Sequence, residues 1–218
     1  MTSIRSRRPA IAISIDVETT GPAVLKHSCR QLGAAAVYFH QKHPDGYNSQ
    51  EWLIDTRCWA IRPQEGKVDD EKTLAFLHRQ GGLMLEIEAN QVDVTEAIRE
   101  FCQWYHELSE RFNIAIIIAS PASFDYAWLV SLVAFYRPPD APEIQLPIAC
   151  RDLTTMQHIA EKFFGIDTRS SDSILERHCF GIKHHALNDA LRQAWQFLTL
   201  RSEMARYKKM LQEADSIQ

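Results

Sequence analysis

The chain has 218 residues, 45% hydrophobic and 24% charged, which is the balance of an ordinary globular domain. Its net charge of -4 at pH 7 argues against a protein that coats nucleic acids indiscriminately, because such proteins are usually basic. Apolar runs stay below the roughly 18 residues of a membrane span, and the run after Arg8 is too short for a signal peptide. Five widely spaced cysteines without a CxxC pair favour reduced thiols. We predict an intracellular, cytoplasmic protein without membrane contact, a single domain over residues 1–218 in which residues 1–9 form a flexible arm.

Three strands open the chain, and the first carries two acids. Residues 10–18 alternate between large apolar residues and small or acidic ones, which predicts a strand. The two-residue period places Asp16 and Glu18 on the same face, roughly 7 Å apart. Residues 31–40 and 50–57 predict two further strands, and the Asp-Gly of "HPDGYN" predicts a turn between them. We therefore expect the first three strands to be antiparallel.

Helices and strands alternate in the rest of the chain. "EKTLAFLHRQ" predicts a helix capped by Asp69 or Asp70 and ended by Gly81-Gly82, and the continuous apolar run at 114–120 predicts a buried central strand. The other predicted elements are helices at 93–110, 124–135, 152–164 and 186–210, a short strand at 147–151 and an irregular segment at 167–183. This order predicts an α/β fold with a mixed β-sheet whose later strands are parallel and joined by helices.

Four acids from distant parts of the chain are expected to meet at one edge of this sheet. Asp16, Glu18 and Asp125 all lie at or just past the carboxyl ends of strands, where sites of α/β sheets gather. Asp189 follows at the start of the last helix, and the small residues Ala186 and Ala190 beside it allow that helix to approach the sheet closely. If the first and fourth strands are neighbours, the four carboxylates converge.

Crowded carboxylates require a compensating cation, because like charges raise one another's pKa values. An all-oxygen ligand set suits Mg²⁺ or Mn²⁺ better than zinc. Two such ions, roughly 4 Å apart, clamp the attacking and leaving oxygens of a phosphodiester, and a nearby histidine accepts a proton from the attacking water.

The motifs themselves resemble a known family. Asp-x-Glu on the first strand, Phe-Asp after the central strand and His-x4-Asp at the last helix resemble the His-containing branch (DEDDh) of the DEDD exonuclease superfamily. The resemblance covers about residues 11–200, and "DEKTLAFLHRQ" is similar to the phage exonuclease A and mycobacterial exoribonuclease group. It implies a ribonuclease H-like fold and a 3′–5′ exonuclease that releases nucleoside 5′-monophosphates with two metal ions, Mg²⁺ or Mn²⁺.

Residue roles are carried over by position from the same resemblance. It implies that Asp16, Glu18 and Asp189 bind the first ion, that Asp16 and Asp125 bind the second, and that His184 is the general base. The expected contacts with the terminal nucleotide come from the backbone of Thr19 and Thr20 and from Phe124. The implied partner is a nucleic acid, RNA or DNA, with a free 3′ end, and a homodimer is compatible with the family.

Several alternatives stay open from the sequence alone. The histidine is doubled, and the spacing to Asp189 favours His184 over His185. A catalytically inactive module that binds nucleic acid or protein is a second function, against which the presence of all four acids counts. A ribonuclease H-like endonuclease or integrase is a third, and the His-x4-Asp arrangement favours the exonuclease instead.

Overall fold

A computed structural model of the chain describes residues 8–39, 52–168 and 184–215. The strands in this part of the chain are β1 Ala10–Thr19, β2 Cys29–Tyr38, β3 Leu53–Ala60, β4 Asn113–Ala119 and β5 Cys150–Asp152. The helices are α1 Glu71–His78, α2 Leu83–Asn90, α3 Val94–Arg111, α4 Ala122–Tyr136, α5 Leu153–Phe164 and α6 Ala186–Asp215. The predicted hairpin turn "HPDGYN", residues 1–7 of the predicted arm and all but the first two residues of the predicted irregular segment 167–183 lie outside the described residues.

The five strands form one mixed sheet in the order β3-β2-β1-β4-β5. β1 pairs antiparallel with β2, and β2 pairs antiparallel with β3. β4 runs parallel to β1 on the other side, and β5 runs parallel to β4. The predicted fold class is confirmed, and because β1 and β4 are neighbours, their carboxyl ends meet at the same edge of the sheet.

The two faces of the sheet are covered by different helices. Ile11, Ile13 and Ile15 of β1 belong to the larger core cluster, together with buried residues of α3 and α4. Ala12, on the opposite face of β1, packs in a second cluster with residues of α5 and α6. The alternation of large and small residues along β1 thus decides which face receives α6, the helix that carries Asp189.

Strand boundaries differ from the predicted ones where pairing with neighbouring strands determines them. β2 begins two residues earlier than predicted, because Cys29 pairs with Thr19 of β1 and Arg30 O accepts from Ile61 N at 2.8 Å. β3 runs from Leu53 to Ala60 instead of over 50–57, because its pairing with β2 extends to Ala60 opposite Gln31. The predicted strand at 147–151 is shorter and later, since β4 pairs only with the three residues of β5.

Helix α2 was not predicted at all. It begins at Leu83, directly after Gly82, whose φ of 93° places the backbone in the left-handed region that glycine tolerates. Leu83, Met84 and Ile87 are buried in a small cluster with Leu77 of α1. The predicted end of α1 at Gly81-Gly82 is wrong, because α1 ends at His78 with Arg79 as its C-cap, and Gly82 instead caps the start of α2.

The N-terminal residues that are described lie against the domain. The Arg8 guanidinium donates to the backbone oxygen of Ser109 at 2.5 Å, and the backbone oxygen of Pro9 accepts from Asn113 N at 2.9 Å. Residues 8 and 9 of the predicted arm therefore contact the end of α3 and the start of β4. None of the helices in the described residues has the length and apolar character needed to cross a membrane.

Candidate active site

The four predicted acids come from four different positions around the carboxyl ends of β1 and β4. Asp16 and Glu18 lie near the end of β1, Asp125 is in the first turn of α4, and Asp189 is in the first turn of α6. Each pair formed by Asp16 with one of the other three is close enough for electrostatic repulsion. These four residues are called the acid cluster below.

Burial and mutual repulsion raise the pKa values of acids in the cluster. Burial, followed by the charges of Asp125, Glu18 and Asp189, raises the pKa of Asp16 well above its ordinary value. Burial, followed by Asp189 and Asp125, raises the pKa of Glu18 to about 8. Both shifts mean that the fold keeps these carboxylates together at a cost in free energy, which a bound cation would relieve.

Asp125 is held by backbone groups of two neighbouring segments. Its Oδ1 accepts from Val17 N at 3.4 Å and its Oδ2 accepts from Ser120 N at 3.2 Å. Burial raises its pKa to about 7, although these backbone donors lower it. The N-cap of α4 is Pro121, which makes no side-chain cap, so Asp125 does not serve the common role of an aspartate that caps its helix.

Asp189 has a partner on each oxygen. Oδ2 accepts from the backbone N–H of His184 at 2.8 Å, and Oδ1 forms an ion pair with the Arg192 guanidinium one turn further along α6. Within the described ranges, Arg192 is the only arginine or lysine that forms an ion pair with the acid cluster. Single ligand atoms of Glu18, His184 and Asp189 all lie within 4.8 Å of one another.

The two adjacent histidines have different surroundings. His184 has a φ of 64°, an uncommon conformation for a residue with a side chain, and its ring meets the edge of Phe76 at 4.8 Å between centroids. The ring of His185 is buried, and its Nε2 lies 2.9 Å from Glu86 Oε1 and 3.2 Å from Gln31 Nε2. His184 therefore lies beside the acids, whereas His185 connects α6 to α2 and β2.

The predicted nucleotide contacts are less clearly placed for binding. Thr20 is buried, its N–H donates to Ser28 O at 2.8 Å, and its Oγ1 accepts from Ser28 N at 3.0 Å. Thr19 is also buried, and its hydroxyl donates to Gly21 O at 2.9 Å. Phe124 is half-buried and packs edge-on against Trp128, with 6.3 Å between ring centroids. The threonine side chains thus hold their own loop, and the three substrate roles stay predictions.

Two residues of β2 that the sequence analysis did not select fix the start of α6. A Cβ atom added to Gly33 would overlap backbone atoms of Ala186 and Leu187, so only glycine allows this approach. Gln31 Oε1 accepts from Ala186 N at 2.9 Å and thereby caps the helix. A glycine within the strand "QLGAAAV" was the available signal, because glycine inside a strand often marks a close backbone contact.

The side chains in the cluster fit hard divalent cations. Carboxylate oxygens are the ligands that Mg²⁺ and Mn²⁺ prefer, and Glu18, His184 and Asp189 converge closely enough to share an ion. The raised pKa values of Asp16, Glu18 and Asp125 are a second indication, since a bound cation stabilises the ionised forms.

Metal-free protein is expected to lose stability as the pH rises from about 4 to about 8. In this window the folded chain retains protons on Glu18, with its pKa of about 8, and on Asp125, with its pKa of about 7. The unfolded chain has already released those protons, so a rise in pH favours unfolding. Melting curves in a chelator across this window measure the effect. Glu18→Gln should flatten the decline, and a melting temperature that rises with pH in the parent protein would contradict the shifts.

Comparisons with known proteins agree with this geometry. A family model described as a 3′-5′ exoribonuclease Rv2179c-like domain matches residues 12–200. The curated 3′-5′ DNA exonuclease Cap18 of Escherichia coli is 23% identical over 208 residues, which cover 92% of this chain and 96% of that protein.

Two solved structures share the fold. S. pombe Pop2p in its Mg²⁺- and Mn²⁺-bound form superposes with a TM-score of 0.57 at 17% identity, covering 89% of this chain and 83% of Pop2p. The nuclease domain of 3′hExo, a DEDDh family member bound to rAMP, gives a TM-score of 0.55 at 14% identity, covering 91% and 94%. Since the family model spans most of the sequence, including the four acids and His184, the chain belongs to the family of 3′-5′ exoribonuclease Rv2179c-like domains and is a 3′–5′ exonuclease.

Proposed function

We propose that this exonuclease removes nucleoside 5′-monophosphates from the free 3′ end of an RNA or DNA strand, and that its acid cluster and His184 form the catalytic site with two Mg²⁺ or Mn²⁺ ions. The proposal treats the whole chain as one exonuclease domain. The convergence of Asp16, Glu18, Asp125 and Asp189 at one sheet edge carries it, because bringing four buried or half-buried acids together is unfavourable unless cations bind there.

Each side chain then has a defined task. Asp16, Glu18 and Asp189 hold one ion, and Asp16 and Asp125 hold the other; bound divalent ions activate water and stabilise charge that develops on the phosphodiester. His184 accepts the proton of the attacking water, and its position next to Glu18 and Asp189 supports this role. Because these groups act on the sugar–phosphate backbone, selection should depend on the geometry of the 3′ end and not on the base.

Two further features support the setting in which the enzyme works. Cap18 is described as a DNA exonuclease and the matching family as exoribonucleases, so a nucleic acid is the substrate class that both support.

The cysteines favour a reducing intracellular compartment. The described residues contain four free thiols, those of Cys29, Cys58, Cys102 and Cys150, and Cys179 lies outside them. A homodimer remains part of the proposal as an assembly that the family resemblance allows.

Digestion of 5′-labelled oligonucleotides tests the proposed reaction. RNA and DNA of the same sequence, each single-stranded and with a 3′ overhang, are incubated with Mg²⁺ or Mn²⁺. A ladder that shortens from the 3′ end, with nucleoside 5′-monophosphates as products, is the expected result, and the faster ladder identifies the preferred sugar. Internal cleavage, or binding without cleavage under every condition, would contradict the proposal.

Manganese is expected to raise the melting temperature of the protein. Relief of repulsion within the acid cluster favours ion binding, and binding stabilises the folded state by about 2.7 kcal/mol at 100 times the dissociation constant, which is roughly 5–10 °C for a chain of this length. Fluorescence-monitored melting over a Mn²⁺ titration measures the shift, with Asp16→Ala as the variant in which it should shrink. A melting temperature independent of Mn²⁺ would argue against a metal site formed in the folded state.

His184→Ala and His185→Ala are expected to have different consequences. His184→Ala should lower kcat by about 100- to 10,000-fold, the usual contribution of a general base, with little change in the melting temperature. His185→Ala removes a buried ring that contacts Glu86 and Gln31, so it should lower the melting temperature more than it lowers kcat. Equal losses of kcat in both variants, with equal melting temperatures, would contradict the assignment of the general base to His184 over His185.

A further inference from the structure

Gln193 is a buried polar residue that contacts the acid cluster and has no role so far. It lies on α6 one turn after Asp189, and only 6% of it is exposed. Its Nε2 donates to Asp16 Oδ1 at 2.7 Å. Its Oε1 is buried without a hydrogen-bond partner among the described residues, which is costly for an amide oxygen.

The contact differs in kind from those made to the other acids. Backbone N–H groups hold both oxygens of Asp125, and Asp189 is held by a backbone N–H and an arginine. The Asp16 carboxylate accepts instead from an uncharged side chain, the amide of Gln193. An amide supplies a donor without adding charge. The hydrogen bond from Gln193 can therefore orient the Asp16 carboxylate through Oδ1 while the carboxylate keeps its negative charge for cations.

The orientation of Asp16 matters for the proposed reaction. Asp16 interacts electrostatically with Asp125, Glu18 and Asp189, so all three lie near its carboxylate. In the proposed function it is the carboxylate that contacts both ions. Residues that orient a metal ligand from behind typically change metal affinity or activity by about 10- to 100-fold when they are replaced.

We propose that Gln193 is a positioning residue that fixes the rotation of the Asp16 carboxylate through Oδ1, so that Asp16 is preorganised to bind both divalent ions. This inference rests on the proposed function, because it assigns Gln193 to the same metal site. Its position was detectable in the sequence only through the helical period, which places residues 189 and 193 on the same face.

Gln193→Met and Gln193→Glu test the inference in the full-length protein, with Mn²⁺ binding measured by calorimetry and hydrolysis by kcat and KM. Methionine fills similar space without a donor, and we expect Mn²⁺ binding and kcat each to fall about 10- to 100-fold. Glutamate also removes the donor but adds a carboxylate, so kcat should fall by a similar factor while Mn²⁺ binds at least as tightly as to the parent protein. This separation of affinity from rate would not arise from a purely structural role.

Gln196→Met is the matched control, because Gln196 is another buried glutamine on α6 and is 8% exposed. It should leave Mn²⁺ binding within about twofold, which separates loss of a buried amide from loss of the contact with Asp16. Parent-like Mn²⁺ binding and kcat in both Gln193 variants would overturn the inference while leaving the nuclease intact. A parent protein that neither binds Mn²⁺ nor digests the oligonucleotides would instead overturn the proposed function.

Discussion

Asp16→Ala is expected to abolish hydrolysis and to leave the protein folded. Asp16 lies near the other three acids and is the proposed ligand of both ions, so the rate should fall by on the order of 1000-fold or more. The same argument applies to Asp189→Ala. Digestion of labelled oligonucleotides at saturating Mn²⁺ measures the rate, and circular dichroism checks the fold.

Stability is expected to change in the opposite direction from activity. Asp16→Asn keeps the shape of the side chain and an oxygen for Gln193 but removes one of four mutually repelling charges. Above pH 8, where Glu18 and Asp125 have released their protons, metal-free Asp16→Asn should therefore melt at or above the temperature of the parent protein, as expected where function requires an unfavourable charge arrangement. Asp140→Asn, at an exposed surface acid paired with Arg99, should change neither rate nor melting appreciably. Full activity in Asp16→Ala would refute the assignment of the site.

Gly33→Ala is expected to impair both folding and catalysis by adding a single methyl group. The new Cβ would overlap backbone atoms of Ala186 and Leu187, which cannot rotate away as a side-chain end could. The start of α6 has to shift, and with it His184 and Asp189 relative to Glu18. Overpacking of this kind costs about 1–3 kcal/mol, and a displacement of ~1 Å in a catalytic group can cost about 100-fold in rate.

Gly66→Ala provides a control that should lower stability without lowering kcat. An added Cβ at Gly66 meets no atom within 4 Å, although the φ of 74° makes any side chain there strained. We expect a loss of stability of about 1–2 kcal/mol without a loss of kcat. Chemical denaturation and single-turnover hydrolysis distinguish the two positions. Parent-like activity in Gly33→Ala would mean that α6 tolerates displacement and that its close approach to β2 is not needed for catalysis.

The fold and the acids were predictable because their signals are local. The two-residue alternation along β1 is sufficient to place Asp16 and Glu18 on one face, and a short apolar run identified β4. β1 and β4 are neighbours, which brings Asp125 to the other acids. This arrangement is one of the few that the connection rules permit for this order of strands and helices. The motifs Asp-x-Glu, Phe-Asp and His-x4-Asp then indicated an exonuclease family, which the order of strands and helices alone does not.

The supporting contacts were not predictable because they depend on pairs that are distant in the chain. Gly33 and Ala186 are separated by most of the sequence, and Gln193 reaches Asp16 across a similar distance. Helix α2 is short, and its apolar residues become informative only when Leu77 and Ala60 are seen beside them. A periodicity analysis examines one segment at a time, so it identifies candidate catalytic residues more readily than the distant residues that contact them.

The close approach at Gly33 also determines where the protein can be handled without disturbing its chemistry. Helix α6 is fixed to the sheet at its first turn, whereas Lys208 and Lys209 near its other end are exposed. At 1.5 Å per residue these lysines lie roughly 30 Å along the helix from Asp189. A fluorophore or a surface tether attached there would lie far from the acid cluster, which makes the far end of α6 a suitable anchor for single-molecule recording of digestion.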